Sequence, residues 1–301
     1  MACFSPMKGY RKPGGGVTFR RSESSGSFLN VKCGMCIGCR ADRRDDWVTR
    51  LYHEAQTSET SVFFTLTYDS DNLPMGGTLA KKDFQLFMKR LRKRIEPLKI
   101  RFFAVGEYGD KTKRPHYHGI IFGFDFPDRG ITGSRKGNPV FRSDLLESCW
   151  RFGSSELSVC SVGVIKYVAG YHMKKFIGDR SSEYYLERYQ RVDYRTGEIY
   201  EVEPEFQLCS TRPGIGHDWY RKFGKSDALA NGFCVLDGTR RPIPRYYLYL
   251  LEKDDPELYE RLMEEKSTEM ERFADDYTDD RLDVRAEVLR RNTNILRSGS
   301  L

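Results

Sequence analysis

The stretch Arg114-Pro115-His116-Tyr117-His118-Gly119-Ile120-Ile121-Phe122-Gly123 sets two histidines on either side of one bulky residue, ahead of an apolar run. The aromatic and β-branched content of that run reads as a buried strand. On a strand, residues i and i+2 share a face, so His116 and His118 would project side by side and could grip one divalent ion. On a helix the same spacing would splay them about 200° apart. Two histidines need a third ligand, and Glu107 is the expected one. It ends the preceding predicted strand, and the turn that begins at Gly106-Glu107-Tyr108-Gly109-Asp110 can return its carboxylate to the same end of the sheet. The remaining positions would stay open for water and a phosphate oxygen, as in a catalytic site. Imidazole with carboxylate suits Mn²⁺ or Zn²⁺ by affinity and Mg²⁺ by abundance, and Mg²⁺ or Mn²⁺ is expected. The plainer alternative is two surface histidines at a strand start.

A second group is Tyr167, Tyr171, Lys174 and Lys175 in a helical segment. At about 100° per residue the two tyrosines lie about 40° apart, and Lys174 lies about 20° to the other side of Tyr167. They are expected to form one stripe along the helix. A phenol is a poor nucleophile at neutral pH, and an adjacent ammonium favours the phenolate. Attack of such an oxygen on phosphorus would give a phosphotyrosine and a free 3′-OH, and a second tyrosine could carry out a later transfer. The alternative is a pair of core aromatics at helical spacing.

A third group is Cys33-Gly34-Met35-Cys36-Ile37-Gly38-Cys39. Three thiolates at this spacing need a fourth ligand to make a tetrahedral structural Zn²⁺ site. Cys3 is the first choice and His53 the second. An iron–sulfur centre is the rival, but the ferredoxin-type run wants a Cys where position 43 is Arg. Unligated thiols are the third possibility. Cys149, Cys160, Cys209 and Cys234 lack ligand spacing and read as small buried residues.

The chain has 301 residues and 39% hydrophobic residues, enough for one large or two modest domains with a real core. No apolar run approaches a membrane span. The opening Met1-Ala2-Cys3-Phe4-Ser5-Pro6 lacks a signal-peptide layout, so a soluble cytosolic protein is expected. Eight cysteines there do not suggest a disulfide framework. The net charge is +7. Lys81 to Arg101 carries nine basic residues against two acids, and Glu252 to Asp280 carries thirteen acids against four bases. The remainder is therefore basic, which favours a polyanionic partner. Arg40, Lys89, Arg90, Arg92, Lys93, Arg94 and Arg114 are the expected DNA contacts, with Arg43 and Arg44 beside the cysteines. The plainer reading of the 81–101 cluster is a solvated helix face.

The elements that must hold these groups follow from periodicity. Residues 1–32 read as an irregular Gly-, Ser- and Arg-rich arm. Trp47, Leu51 and Ala55 suggest a helix over 40–59. Residues 61–68 and 100–105 read as strands, and 81–96 as an amphipathic helix stopped by Pro97. Residues 125–140 read as a loop, 143–152 as a short helix, 157–162 as a strand and 163–177 as the tyrosine helix. The acidic tail is expected to be helical at first and helical or partly disordered beyond. The domain expectation is an arm with the Cys cluster (1–44), a catalytic core (45–180), an extension packed on it (181–250) and a tail (251–301). The fold expected is α+β, with an antiparallel sheet core, flanking helices and an N-terminal Cys-cluster module.

At these residues the chain resembles the HUH endonuclease superfamily of rolling-circle replication initiators. Phe63-Phe64-Thr65-Leu66-Thr67-Tyr68 resembles its first motif, Arg114-Pro115-His116-Tyr117-His118-Gly119 its second, and Tyr167-Val168-Ala169-Gly170-Tyr171-His172-Met173-Lys174-Lys175 its third, in the two-tyrosine form. Within the superfamily it is most similar to the initiators of microviruses, small circular single-stranded DNA phages, and to their gokushovirus branch. The segments Met1-Ala2-Cys3, Cys33 to Arg40, Asp83 to Arg92, Gly106 to Asp110 and Arg212-Pro213-Gly214-Ile215-Gly216 carry that likeness, over roughly residues 1–250. The resemblance implies an HUH-type sheet core and a divalent ion. It also implies strand-specific nicking of origin DNA, followed by joining that releases a circular genome. A host helicase and polymerase would be partners, in the host bacterial cytoplasm, since no G-x-x-x-x-G-K-[ST] run is present. The readings kept beside this one are a non-enzymatic metal-containing DNA- or RNA-binding protein and a related single-strand transposase or relaxase.

Overall fold

The computed structural model describes residues 3–13, 16–24, 28–135, 137–174, 183–193, 195–226 and 228–298. The chain order is β1 (Met7–Arg11), β2 (Val17–Thr18), β3 (Phe28–Val31), α1 (Ile37–Thr57), β4 (Ser61–Tyr68), α2 (Lys81–Arg94), β5 (Arg101–Tyr108), β6 (Pro115–Phe122), β7 (Gly130–Arg135), β8 (Asn138–Arg142), α3 (Asp144–Cys149), β9 (Gly153–Val159), α4 (Val162–Ala169) and α5 (Tyr171–Lys174). Then come α6 (Glu183–Tyr189), β10 (Gln190–Val192), β11 (Ile199–Glu201), β12 (Phe206–Cys209), α7 (His217–Trp219), α8 (Ala228–Asn231), β13 (Phe233–Leu236), β14 (Thr239–Pro242), α9 (Arg245–Asp254), α10 (Pro256–Arg272) and α11 (Asp279–Ser298). Two compact units result, Asp45–Leu250 and Met1–Arg44 with Leu251–Leu301.

The larger unit is built on a seven-stranded sheet in the order β12-β5-β6-β4-β9-β8-β7. Every pairing in it is antiparallel. The architecture is thus α+β with a large antiparallel sheet, as expected. Strand β4 shows why the two faces differ. Its buried residues Val62, Phe64, Leu66 and Tyr68 alternate with the partly exposed Phe63, Thr65 and Thr67. Alternation of period two puts the first set on one face and the second on the other. The first face packs on the apolar stripe Phe84, Phe87, Met88 and Leu91 of α2 and on Leu146, Cys149 and Trp150 around α3. Each large side chain fully buried there contributes about 1.5–3 kcal/mol.

Tyr117, between the two histidines, is fully buried on that apolar face. Its hydroxyl lies 2.9 Å from the Tyr68 hydroxyl, donates to Ala80 O at 2.8 Å and accepts from Ala80 N at 3.0 Å. These contacts fix the rotation of β6 and send its neighbours His116 and His118 to the opposite face. Gly119 follows because a Cβ there would sit 2.4 Å from Phe64 Cζ and 2.7 Å from Phe103 O.

Three expectations need correction. Residues 1–32 are not wholly irregular, since β2-β1-β3 form a small antiparallel sheet. The expected loop 125–140 contains the hairpin β7–β8 on the sheet edge. Its strands carry few buried side chains, so they leave no apolar alternation to read. The acidic tail takes the helical of its two expected states through α11, where Leu282 and Ala286 are buried one turn apart. The tyrosine segment is not one helix but α4 and α5, parted at Gly170. That residue's N–H bonds back to the carbonyls of Lys166 and Tyr167, both at 3.0 Å. A Cβ would meet Tyr167 O at 2.9 Å, which a glycine avoids. Among the described residues, no helix is long and apolar enough to cross a membrane.

Candidate active site

Strand register assembles the first group. Glu107 of β5 pairs with His116 of β6, and His116 pairs with Thr67 of β4. One step along, His118 lies between Val105 and Thr65. Directly opposed residues share a face, so Glu107, His116, His118 and Thr65 all lie on the face away from α2. The ligand atoms of Glu107, His116 and His118 lie within 4.8 Å of one another. Glu107 Oε1 is 3.6 Å from His116 Nε2 and 3.5 Å from His118 Nε2. Ligands held about 2.1 Å from a tetrahedral ion would stand about 3.4 Å apart. The three therefore fit one face of a divalent coordination sphere.

Both imidazoles are oriented from behind. His116 Nδ1 is 3.1 Å from Arg114 O, and His118 Nδ1 is 3.0 Å from Thr65 Oγ1. A proton on Nδ1 in each leaves the Nε2 lone pair turned toward Glu107. Phe63 stacks on the His118 ring, with centroids 5.7 Å apart and planes 18° apart. Thr65 and Phe63 came from the sequence only as members of a resemblance. Their parity on β4 is the signal that places them beside the histidines.

Helix α4 brings in one tyrosine. Ser161 caps it by accepting from Val164 N at 3.3 Å, and Ile165, Val168 and Ala169 form its buried side. The Tyr167 hydroxyl donates toward Glu107 Oε1 at 3.5 Å and stands 3.1 Å from His118 Nε2. The residue is 45% exposed, so the hydroxyl enters the site while the ring stays open to a ligand. Burial of that end, and then the Glu107 charge, push the phenol above its ordinary value.

Tyr171 goes elsewhere. It is 2% exposed, and its hydroxyl donates to Glu205 O at 2.8 Å. The expected single stripe of Tyr167, Tyr171 and Lys174 is therefore not formed, because the break at Gly170 intervenes and β12's approach captures the second phenol. Lys175 and the side chain of Lys174 lie outside the described residues.

The basic residues divide. Lys89, Arg92, Lys93 and Arg94 are exposed on α2, across the sheet from the histidines. Arg90 donates to Cys149 O at 3.3 Å, and Arg114 Nε donates to Tyr68 O at 2.9 Å, which ties β6 to the end of β4. Arg40 is half-buried in the first turn of α1.

In the smaller unit, Cys3, Cys33, Cys36 and Cys39 bring four sulfurs within 4.8 Å. Cys3 Sγ is 3.8 Å from Cys33 Sγ, which is 4.0 Å from Cys39 Sγ. A tetrahedral ion with metal–sulfur bonds of about 2.3 Å separates its sulfurs by about 3.8 Å. Backbone N–H groups aim at the sulfurs, from Cys36 to Cys33 Sγ at 3.3 Å and from Phe4 to Cys36 Sγ at 3.3 Å. Burial alone would raise the Cys36 thiol, but the N–H groups of Cys39 and Phe4 and the neighbouring thiols hold it at about 7. Burial pushes Cys3 and Cys39 up. Cys3 thus supplies the fourth sulfur. His53 is instead buried, stacked on Trp219 at 3.5 Å with Nδ1 3.0 Å from the Tyr247 hydroxyl. Cys149 and Cys234 are buried, and Cys160 and Cys209 half-buried.

The family model for replication-associated proteins of the ORF2 type matches residues 61–176, which contain the histidine strand and α4. Replication-associated protein VP4 of Bdellovibrio phage phiMH2K is 30% identical over 272 residues, covering 85% of this chain and 79% of that protein. Replication-associated protein ORF4 of Chlamydia phage 1 is 30% identical over 234 residues, covering 74% of this chain and 54% of that protein. Replication-associated protein ORF2 of Spiroplasma virus 4 is 29% identical over 196 residues, 58% of this chain and 61% of that protein. No solved structure matches the chain.

Proposed function

The chain belongs to the family of phage replication-associated proteins of the microvirus type, and from that premise we propose that it is an HUH-type endonuclease that nicks and rejoins origin DNA. The observation that carries this reading is the Tyr167 hydroxyl, 3.1 Å from His118 Nε2 and 3.5 Å from Glu107 Oε1. A nucleophile thus stands beside three groups able to hold a divalent ion.

Glu107, His116 and His118 would hold Mg²⁺ or Mn²⁺, which supplies Lewis-acid polarisation of the phosphate and offsets charge that builds on its oxygens. Thr65 Oγ1 and Arg114 O keep the two rings aimed. Tyr167 Oη attacks phosphorus as the P–O3′ bond breaks. The phenolic proton passes to solvent along the open side of the ring, and the leaving 3′ oxygen takes a proton to become a free 3′-OH. The product is a 5′-phosphotyrosine that keeps the energy of the diester for rejoining. Without a cation, the Glu107 charge opposes the phenolate. The same carboxylate would therefore couple activation of the nucleophile to loading of the site.

Tyr171 is the proposed second nucleophile, for the joining step, after release of its bond to Glu205 O. Lys174 and Lys175 are proposed to stabilise the phenolates. The exposed bases of α2, with Arg40, are proposed backbone contacts to DNA. The four cysteines are proposed to hold a structural Zn²⁺, supported by sulfur spacings close to a tetrahedral edge. A host helicase and polymerase would act with the protein in the host bacterial cytoplasm.

The test is incubation with circular single-stranded DNA bearing the candidate origin, with Mn²⁺, with Mg²⁺ and with chelator, followed by a denaturing gel. A metal-dependent protein–DNA adduct on Tyr167 is expected. Tight binding with no adduct on any origin-bearing substrate would replace this reading with a DNA-binding protein.

A further inference from the structure

The edge hairpin β7–β8 has no part in the site described so far. Its base is fixed. Asp128 accepts from Ser143 Oγ at 2.7 Å and from Leu145 N at 2.9 Å, and the Arg129 guanidinium lies 4.8 Å over the Phe141 ring. Beyond that base, every residue of β7 is exposed.

Register gives the hairpin a direction. Phe141 pairs with Leu157, so the next step sets Arg142 beside Glu156. Arg135 pairs with Asn138 at the tip. Asn138 is four residues from Arg142, which is about 13 Å along a strand. Arg135 Nη2 nonetheless lies 3.0 Å from Glu156 Oε2 and 3.3 Å from Oε1. The Arg135 side chain therefore reaches back over the sheet. Glu156 pairs with Thr65, and Thr65 pairs with His118, so the face it covers is the histidine face. The Arg135 side chain is 67% exposed.

We propose that β7–β8 is a clamp for the backbone of single-stranded DNA, in which Arg135 binds the phosphate neighbouring the one that reaches Tyr167. This rests on the nicking reading for the identity of that phosphate. A guanidinium fork takes a carboxylate or a phosphate in the same bidentate way. Glu156 holds Arg135 over the site, and a DNA phosphate takes its place. Arg135 is a positioning residue for the substrate.

The experiment uses the full chain carrying Tyr167→Phe, so that binding is read without cleavage, and a fluorescent single-stranded oligonucleotide bearing the candidate origin, with Mn²⁺. Arg135→Ala is expected to weaken binding about tenfold and to lower the slope of log K against log salt by about 0.7, the loss of one phosphate contact. Glu156→Gln is expected to tighten binding. A methylphosphonate placed at successive links should reproduce the loss at one position beside the scissile link, and should add nothing there in Arg135→Ala. Unchanged affinity and slope in Arg135→Ala, or a methylphosphonate effect spread evenly over all links, overturns the proposal. Adduct formation by the chain with Tyr167 intact, measured in parallel, separates the two readings. An adduct with Arg135-insensitive binding removes the clamp alone. Arg135-sensitive binding with no adduct removes the nicking reading and leaves a DNA clamp.

Discussion

Replacing each tyrosine of the pair by phenylalanine should give two different phenotypes, one chemical and one structural. The Tyr167 hydroxyl sits among the candidate ligands, on a side chain 45% exposed. Losing it removes a part-buried contact to His118 and Glu107, which keep their contact with each other, so stability should fall by only about 0.5 kcal/mol. Adduct formation should fall on the order of 10³-fold or more, because the nucleophile is gone. The Tyr171 hydroxyl, in a residue 2% exposed, donates to Glu205 O at 2.8 Å. Its removal deletes one hydrogen bond and leaves a buried carbonyl, worth about 1 kcal/mol. In a unit spanning residues 45–250 that corresponds to roughly 2–4 °C in Tm. First-strand cleavage by Tyr171→Phe should stay within a few-fold of the parent, while joining is lost. The assays are thermal melting and a denaturing gel with mass mapping of the adduct. The reasoning is refuted if Tyr167→Phe still forms an adduct on Tyr171 at the parental rate, or if Tyr171→Phe blocks the first cleavage without a change in Tm.

Thr65→Val keeps the shape but removes the group that orients His118 Nδ1. Titration calorimetry with Mn²⁺ should show affinity lower by about 10–100-fold, and an unchanged isotherm would detach Thr65 from the site. Cys33→Ser should lose about one equivalent of zinc by atomic absorption while Cys149→Ser keeps it; equal zinc in both would disprove the four-sulfur site. His53 is buried without charge, and burial holds its pKa at about 3, below the ordinary 6.5. Its folded value lies below its unfolded one, so its contribution is complete above pH 6.5 and is lost as pH falls from there toward 3. The slope is about 1.4 kcal/mol per pH unit, or about 2 kcal/mol between pH 7 and pH 5. Urea midpoints of the parent and His53→Phe should diverge by that amount over the interval, and parallel losses would exclude His53 as the cause.

Much of the larger unit was legible because its signals are local. The alternation in Ser61–Tyr68 and the apolar spacing in Lys81–Arg94 each report a buried face. The spacing of His116 and His118 placed both on one face, and the turn after Glu107 did bring its carboxylate to them. Cys3 joined the cysteine cluster from thirty residues away. What escaped depends on distant partners or on backbone pairing alone. The hairpin β7–β8 is exposed, so its strands leave no trace in hydropathy. The fate of Tyr171 is set by Glu205 O, a backbone atom that no side-chain pattern reveals. The break in the tyrosine helix depends on Gly170 accepting a close approach of the Tyr167 carbonyl. A single glycine near the end of an apolar helical pattern does not announce that.

The same alternation that builds the core also makes the site rigid. Between His116 and His118 stands Tyr117, fully buried and bonded to Tyr68 and Ala80. Beside Thr65 stand Phe64 and Leu66, each fully buried. Any rotation of β4 or β6 that moved a ligand would have to pull one of these side chains out of a close-packed interior. The candidate ligand triad is therefore fixed by apolar packing on the far side of the sheet, as the proposed chemistry requires. The groups proposed to engage and release DNA sit on less constrained elements. Tyr167 stands near the end of an eight-residue helix, and Arg135 at the tip of an exposed hairpin. On the proposed reading, the closely packed sheet holds the cation ligands, while a helix end and an edge hairpin carry the parts that follow a passing strand.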